Sequence, residues 1–183
     1  MHIVHLQNIE KNGRIVICNG GKEIFFLCLL HYNDTCKVNQ QFTGGEHRVV
    51  KLNIQTAELA LREAAESNPG AWADHSRFVA EACKNIASHC KDLSSEQAYI
   101  FGLLHDIGRY AGVSSERHLI DGYRYCMERG WEKAAQICIS HAFMIQDIAT
   151  SIGVFDVSDE DYLFMKEFVA NAVYDAVSYT HLR

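Results

Sequence analysis

The sequence predicts an all-α fold, a helical bundle preceded by a small N-terminal β-hairpin or by a segment foreign to the native product. Proline is confined to Pro69 among 183 residues, so long helices can run uninterrupted. Apolar residues recur at three- and four-residue steps from Thr56 onward, whereas β-branched and aromatic runs prevail before about residue 50. With 48% hydrophobic and 22% charged residues, the chain has the ordinary composition of one globular domain.

Three regions are expected along the chain. Residues 1–50 form an N-terminal extension, in which runs 14–18 and 23–30 flank Asn19-Gly20-Gly21 and predict a hairpin. The alternative is that this extension does not belong to the native product, because the helical part looks complete without it. Residues 51–175 form the main domain. Residues 176–183 are a tail of weak helical periodicity, which is either native or foreign to the product.

The first two predicted helices carry regular apolar positions. The first begins near Thr56 and ends at the turn cluster of residues 67–70. The second spans about residues 72–90 and leaves polar residues such as Glu81 and Lys84 to solvent. The positions expected to face the core are Leu59, Leu61, Ala64 and Ala65 on the first helix, and Phe78, Val79, Ala82, Ile86 and Ala87 on the second.

The other helices are predicted mainly from the residues expected at their ends. Ser94 with Gln97 predicts a capped start for a helix that reaches about residue 106 and is ended by Gly108. A fourth helix spans about residues 116–129, with Gly130 as its C′ residue, and a fifth spans about 131–143. Ser158 caps a last helix. Its core residues are expected to be Leu163, Phe164, Phe168, Val169 and Ala172.

Charge and cysteine usage exclude several classes of function. Seventeen basic against 23 acidic residues give a net charge of −6, with no basic stripe for duplex nucleic acid. The longest apolar stretch, residues 24–30, is far below the ~20 residues needed to cross a bilayer. The seven cysteines contain no C-x-x-C pair, so reduced and mostly buried thiols are expected. These features predict a cytoplasmic protein with no membrane or duplex nucleic acid partner.

Ten histidines are many for this length, and two of them are predicted to meet. Helices 72–90 and 95–106 are joined by a short link and should pack antiparallel. At about 1.5 Å per residue, His75 lies about 22 Å from one end of that link and His105 about 16 Å from the other. Both imidazoles therefore reach one end of the bundle. Asp106 can join His105 at one ion because the helix is ending there and Gly108 frees the backbone to turn.

The chain resembles the HD superfamily of metal-dependent phosphohydrolases from about residue 51 to 175. The resemblance is carried by the stretches WADHSRFVAEAC, FGLLHDIGRY, RHLIDGYRYC and ISHAF. By position, it implies that His75, His105 and Asp106 are the first three metal ligands.

The resemblance also implies roles for later residues. His118 and His141 match the histidines that hold a second ion or the substrate phosphate in two-metal members. Asp175 is the nearest candidate for the last ligand of the first ion, the alternative being that this ligand lies beyond a truncation. Arg109 is either a solvated cation at a helix end or a phosphate clamp.

Other polar and aromatic residues are expected to be structural. Asp121 is predicted to cap a helix or to pair locally rather than to bind metal. The side chains of His89 and of the histidines at 2, 5, 31 and 47 are expected to face solvent. Tyr110, Tyr123, Tyr125 and Trp131 are expected in the core rather than as a base-stacking platform.

Imidazole and carboxylate ligands without thiolate suit Mn²⁺, Fe²⁺, Co²⁺, Ni²⁺ or Zn²⁺, or Mg²⁺ with added waters, at one or two ions per chain. Such an ion activates a bound water, and Asp106, His118, His141 and Arg109 are the expected catalytic residues. The predicted function is hydrolysis of a phosphate ester or anhydride, of a nucleotide in the first instance. The alternative is a sensing or docking module that binds metal or nucleotide without turnover. The sequence does not specify an oligomeric state.

Overall fold

The computed structural model describes residues 51–91, 93–143 and 147–171, together with the backbone of three N-terminal strands. The strands β1 (His5–Ile9), β2 (Arg14–Asn19) and β3 (Glu23–Cys28) are antiparallel and lie in the order β1-β2-β3. The predicted hairpin corresponds to β2 and β3, in which Arg14 pairs with Cys28 and Asn19 with Glu23. The division of the chain at residues 50 and 175 stays a prediction.

The all-α fold class is confirmed for the main domain. Over the described residues from 51 to 171 the chain forms six α-helices and two 3-10 turns, with no strand among them. The helices are α1 (Ile54–Ser67), α2 (Trp72–Ala87), α3 (Ser95–Leu104), α4 (Arg117–Met127), α5 (Glu132–Ser140) and α6 (Asp159–Asn171); the 3-10 turns are Ile107–Ala111 and Ile148–Thr150. None of the described helices is long and apolar enough to cross a membrane.

Local capping signals explain where several helices begin and end. The Ser94 hydroxyl accepts a hydrogen bond from the Gln97 N–H at 3.2 Å, and the Ser158 hydroxyl does the same for Asp161. Gly130 has φ +71°, and the Trp131 N–H donates to the Cys126 carbonyl across it at 2.9 Å. This is the Schellman arrangement expected of a C′ glycine. The predicted ends of α2 and α3 were too late by two or three residues.

The core confirms the helical periodicity but corrects its phase at three positions. Leu59, Phe78 and Leu163 were expected to face the core, yet they are 42%, 75% and 62% exposed. On α2 the buried stripe instead follows Ala73, Ser76, Val79, Ala80, Cys83, Ile86 and Ala87. On α6 Met165 is fully buried beside Val169, and Ala172 lies outside the described residues. Apolarity alone therefore misplaced residues that the 3.6-residue period turns outward.

The expected core aromatics and thiols are largely buried. Tyr123, Tyr125 and Trp131 are at most 7% exposed, and Tyr110 is half-buried against Tyr125. Among the described cysteines, all of which are free thiols, Cys83, Cys126 and Cys138 are buried and Cys90 is half-buried. Burial raises the pKa of Cys83 to about 12, which marks it as an unreactive packing residue.

Two glycines let helices approach more closely than any other residue would allow. A Cβ on Gly102 of α3 would lie 2.5 Å from the Ala80 Cα of α2. A Cβ on Gly108 would lie 2.0 Å from the His118 carbonyl oxygen and 2.4 Å from the Gly122 nitrogen, both in α4. The expectation that Gly108 ends a helix by freeing the backbone was wrong: α3 already ends at Leu104, and Gly108 has no positive φ. Its function is close packing against α4.

Candidate metal centre

The antiparallel packing of α2 and α3 brings His75 and His105 together, as the sequence predicted. His75 lies in the first turn of α2 and His105 follows the last residue of α3. Their ring centroids are 5.3 Å apart. One ligand atom from each of His75, His105 and Asp106 lies within 4.8 Å of the others. We call these residues the first triad.

A second set of ligands shares Asp106. The Oδ1 atom of Asp106 lies 3.2 Å from His118 Nε2 on α4 and 3.3 Å from His141 Nε2, directly after α5. Asp106, His118 and His141 also place their ligand atoms within 4.8 Å of one another, and we call them the second triad. The two triads therefore meet at one carboxylate.

Backbone hydrogen bonds fix the tautomers of three of the histidines. In each, Nδ1 lies against a carbonyl oxygen three residues earlier: His105 against Gly102 at 2.8 Å, His141 against Cys138 at 3.0 Å, and His118 against Ser115. A carbonyl oxygen can only accept, so Nδ1 must carry the proton. Each Nε2 then carries a lone pair and faces Asp106, the orientation that metal-binding histidines obtain from such partners.

Burial and charge set the protonation of the two central residues. His105 and Asp106 are only 6% and 5% exposed. Burial lowers the pKa of His105 to about 3, so its imidazole is neutral near pH 7. Burial acts to raise the pKa of Asp106, but His105, His118 and His141 around it outweigh this effect and hold the pKa well below its usual range. A neutral imidazole beside an ionised carboxylate is the state in which both bind metals.

The donor arrangement fits a divalent cation. Asp106 Oδ1 is buried and has no hydrogen-bond partner among the described residues. It faces the unprotonated Nε2 atoms of His118 and His141, so three lone pairs converge and need a cation or extra protons between them. Two ligand atoms bound to one ion at about 2.0–2.2 Å lie roughly 3 Å apart, which is close to the separations found here. The donors are all imidazole nitrogens and carboxylate oxygens, as predicted.

Arg109 is tied into the second triad rather than extended into solvent. Its Nε donates to Asp106 Oδ2 at 2.9 Å, and one Nη lies 3.4 Å from His118 Nε2. Its side chain is still 31% exposed, so the guanidinium borders the cluster and solvent at once. Arg109 also lies in the last turn of the 3-10 turn Ile107–Ala111, so the helix-end alternative stays a prediction. The alternative of a phosphate clamp stays a prediction.

Two of the other residues that were singled out from the sequence lie where they were expected, and several lie outside the described residues. Asp121 pairs locally with Arg117 at 3.3 Å, and His89 is exposed, both as expected. Asp175 lies outside the described residues, as do the side chains of the histidines at 2, 5, 31 and 47. The ligand roles of His75, His105, Asp106, Asp175, His118 and His141 stay predictions.

Asp156, which was not predicted from the sequence, binds the start of α4 just before His118 with its carboxylate. Its partners lie 39 and 41 residues away along the chain. No local motif marks a contact at that separation.

Residues 52–135 match the family model of the HDOD domain, an HD-related output domain. The matched segment is similar to HD-related domains. The resemblance predicted from the sequence is thereby confirmed for the HDOD segment, which runs from α1 into α5 and contains His75, His105, Asp106, Arg109 and His118. His141 lies beyond the matched segment. No curated protein and no solved structure matches the chain.

Proposed function

We propose that this chain is a metal-dependent phosphohydrolase that cleaves a phosphate ester or anhydride of a small substrate, with a nucleotide as the first candidate. The observation that supports this proposal is the buried, unpartnered Oδ1 of Asp106, which stands between Nε2 lone pairs and is shared by two ligand triads. A buried polar atom without a hydrogen-bond partner is energetically unfavourable, and such atoms are typical of functional sites.

His75, His105 and Asp106 would hold one divalent ion, and Asp106, His118 and His141 a second. Asp175 is the proposed further ligand of the first. When bound, such an ion lowers the pKa of a coordinated water towards ~7 and neutralises charge on a phosphoryl group.

The remaining steps are assigned to side chains of this chain. The Arg109 guanidinium, already held by Asp106 and partly exposed, is positioned to bind a phosphoryl oxygen through its free N–H groups. Where only one ion is bound, the Nε2 of His118 or His141 can take up a proton and transfer it to the leaving oxygen, while Nδ1 stays bound to its backbone carbonyl. His141 is the more accessible of the two, with 13% of its side chain exposed against 5% for His118.

A second candidate function is a signalling module that binds metal or nucleotide without turnover. It is favoured by the match itself, because HDOD domains are often signalling domains without catalytic activity. The two candidates differ in turnover and not in fold.

The test uses the purified full chain. Metal content is measured by elemental analysis, and hydrolysis is measured on a generic phosphatase substrate and a nucleotide panel with added Mn²⁺ or Ni²⁺. We expect bound metal and metal-dependent phosphate release. The double variant His105→Ala with Asp106→Ala should lose both, whereas the control pair His89→Ala with Asp74→Ala, at exposed positions, should keep both.

Each outcome separates the candidates. Metal without turnover in the wild-type chain supports the signalling module and overturns the enzyme. A wild-type chain without metal overturns the metal-dependent enzyme, and full metal content in the His105→Ala, Asp106→Ala variant overturns the assignment of these two residues as ligands.

A further inference from the structure

Residues 151–156 bind the beginning of α4 through several hydrogen bonds, and we call them the clamp segment. The Glu116 N–H donates to the Val154 carbonyl at 3.1 Å, and the Val154 N–H donates to the Ser115 hydroxyl at 3.0 Å. The Ser151 hydroxyl donates to Glu116 Oε1 at 2.8 Å. A Cβ on Gly153 would lie 1.7 Å from that same oxygen, so a larger residue there would have to displace the Glu116 side chain.

Asp156 supplies the cap that α4 lacks. Glu116, the N-cap residue of α4, makes no capping hydrogen bond with its side chain, and the first turn of the helix contains no acidic residue. Asp156 instead accepts the Arg117 N–H on Oδ1 at 2.8 Å and the Ser115 N–H on Oδ2 at 3.0 Å. The carboxylate thus satisfies two N–H groups that a helix start otherwise leaves open, at the end where a negative charge is favourable.

The capped turn is the one that orients His118. The Ser115 carbonyl accepts the His118 Nδ1 proton, and this bond leaves His118 Nε2 directed at Asp106. Ser115 is in turn held by its N–H on Asp156 and by its hydroxyl on Val154. A continuous series of hydrogen bonds therefore runs from Asp156 through Ser115 to His118.

The first triad is built differently. His75 and His105 are positioned by the packing of α2 against α3, where Gly102 contacts the Ala80 backbone. A change at Asp156 therefore acts on the second triad by way of His118, while α2 and α3 keep the first triad in place.

We propose that Asp156 is a positioning residue for the second ion, setting its affinity separately from that of the first. This inference rests on the proposed function, since it assumes that both triads bind metal. Residues that orient a metal-binding histidine typically change metal affinity by about 10–100-fold when they are mutated. Because Asp156 acts through the backbone of Ser115, we expect about a tenfold effect, the lower end of that range.

The experiment titrates Mn²⁺ into the full chain. Equilibrium dialysis gives the number and affinity of the ions, and electron paramagnetic resonance distinguishes a single ion from a coupled pair. The variants are Asp156→Ala, which removes both hydrogen bonds, and Asp156→Asn, which keeps an acceptor for one. Asp147→Ala is the matched control, since Asp147 caps the neighbouring 3-10 turn through Ala149.

We expect two ions in the wild-type chain and in Asp147→Ala. In Asp156→Ala the first ion should bind as in wild type and the second about tenfold more weakly, with loss of the coupled-pair signal at limiting Mn²⁺. Asp156→Asn should be intermediate. Retention of the first ion shows that the variant is folded.

Two results overturn the positioning role alone: unchanged binding of both ions in Asp156→Ala, or equal weakening of both. A wild-type chain that binds fewer than two ions overturns the two-triad centre itself, and the inference with it. The wild-type titration therefore separates failure of the proposed function from failure of the inference.

Discussion

The two triads share Asp106 but are held in place by different kinds of interaction. In the first, α2 and α3 pack backbone against backbone at Gly102, and this contact brings His75 to His105. In the second, His118 takes its orientation from a turn that the clamp segment holds by hydrogen bonds. Close-packed helices resist small changes, whereas hydrogen bonds at an exposed loop can be removed one at a time. The first triad should therefore be the more robust of the two.

The largest effect is expected at the shared residue. Asp106→Asn removes the charge that both triads use while keeping the size of the side chain. Affinity for both ions should fall by more than about 100-fold, beyond the 10–100-fold typical of residues that only support a ligand. His118→Ala, measured in parallel by Mn²⁺ dialysis, should lose the second ion alone. If Asp106→Asn lost only one ion, Asp106 would not be the shared ligand.

Two glycine substitutions compare the backbone contacts that hold each triad in place. Gly102→Ala would place a Cβ 2.5 Å from Ala80, and Gly108→Ala would place one 2.0 Å from the His118 carbonyl. Each should lower the free energy of unfolding by about 1–3 kcal/mol, the usual cost of overpacking. Gly102→Ala should weaken the first ion more, and Gly108→Ala the second.

Gly70→Ala is the control for these variants, because its nearest neighbour would be the Trp72 side chain at 3.0 Å. Urea unfolding and Mn²⁺ dialysis measure the two effects. Equal effects of Gly102→Ala and Gly108→Ala on both ions would contradict the separate supports.

The pH dependence of stability tests the buried first triad. The pKa of His105 is lowered by burial from 6.5 to about 3, so between these values the unfolded chain binds a proton that the folded chain does not. The free energy of unfolding of the metal-free protein should therefore decrease as the pH falls from about 6.5, with His105 contributing about 1.4 kcal/mol per pH unit.

His105→Asn should remove that slope between about pH 6 and 5, where Asp106 is still ionised in both states. Asparagine keeps a donor for the Gly102 carbonyl. Urea unfolding at several pH values after dialysis against a chelator measures the slope, and the exposed His89→Asn is the control. A wild-type slope in His105→Asn would mean that His105 is not held neutral by burial.

The smallest effect is expected at a helix cap far from both triads. Ser94 caps α3 at the end opposite His105, by accepting from Gln97. Ser94→Ala should lower the free energy of unfolding by about 1 kcal/mol and leave the affinity for both ions unchanged. Thermal unfolding and Mn²⁺ dialysis check this result. Loss of the second ion in Ser94→Ala would show that any lost cap, and not Asp156 in particular, disturbs the centre.

Prediction from the sequence succeeded where the signal was local. Ser94 and Gly130 mark helix ends through bonds to residues only a few positions away, and both act as predicted. The lengths of two helices and the short link between them were enough to predict that His75 and His105 lie together. The direction of the apolar helix faces was predicted less accurately. Phe78 was expected in the core but is exposed, and Met165 is buried although it was not among the predicted core residues.

The amino-acid sequence by itself determined the helical body, the HD-related motif and the set of imidazole and carboxylate donors, because periodicity, caps and residue spacing act within one or two turns of helix. Only the tertiary structure decided that Asp106 lies between two triads, that Gly108 serves close packing, and that Asp156 caps a helix about 40 residues earlier in the chain. These features depend on which helix ends meet in space. That outcome is set by the packing of the whole core, which no short stretch of sequence encodes.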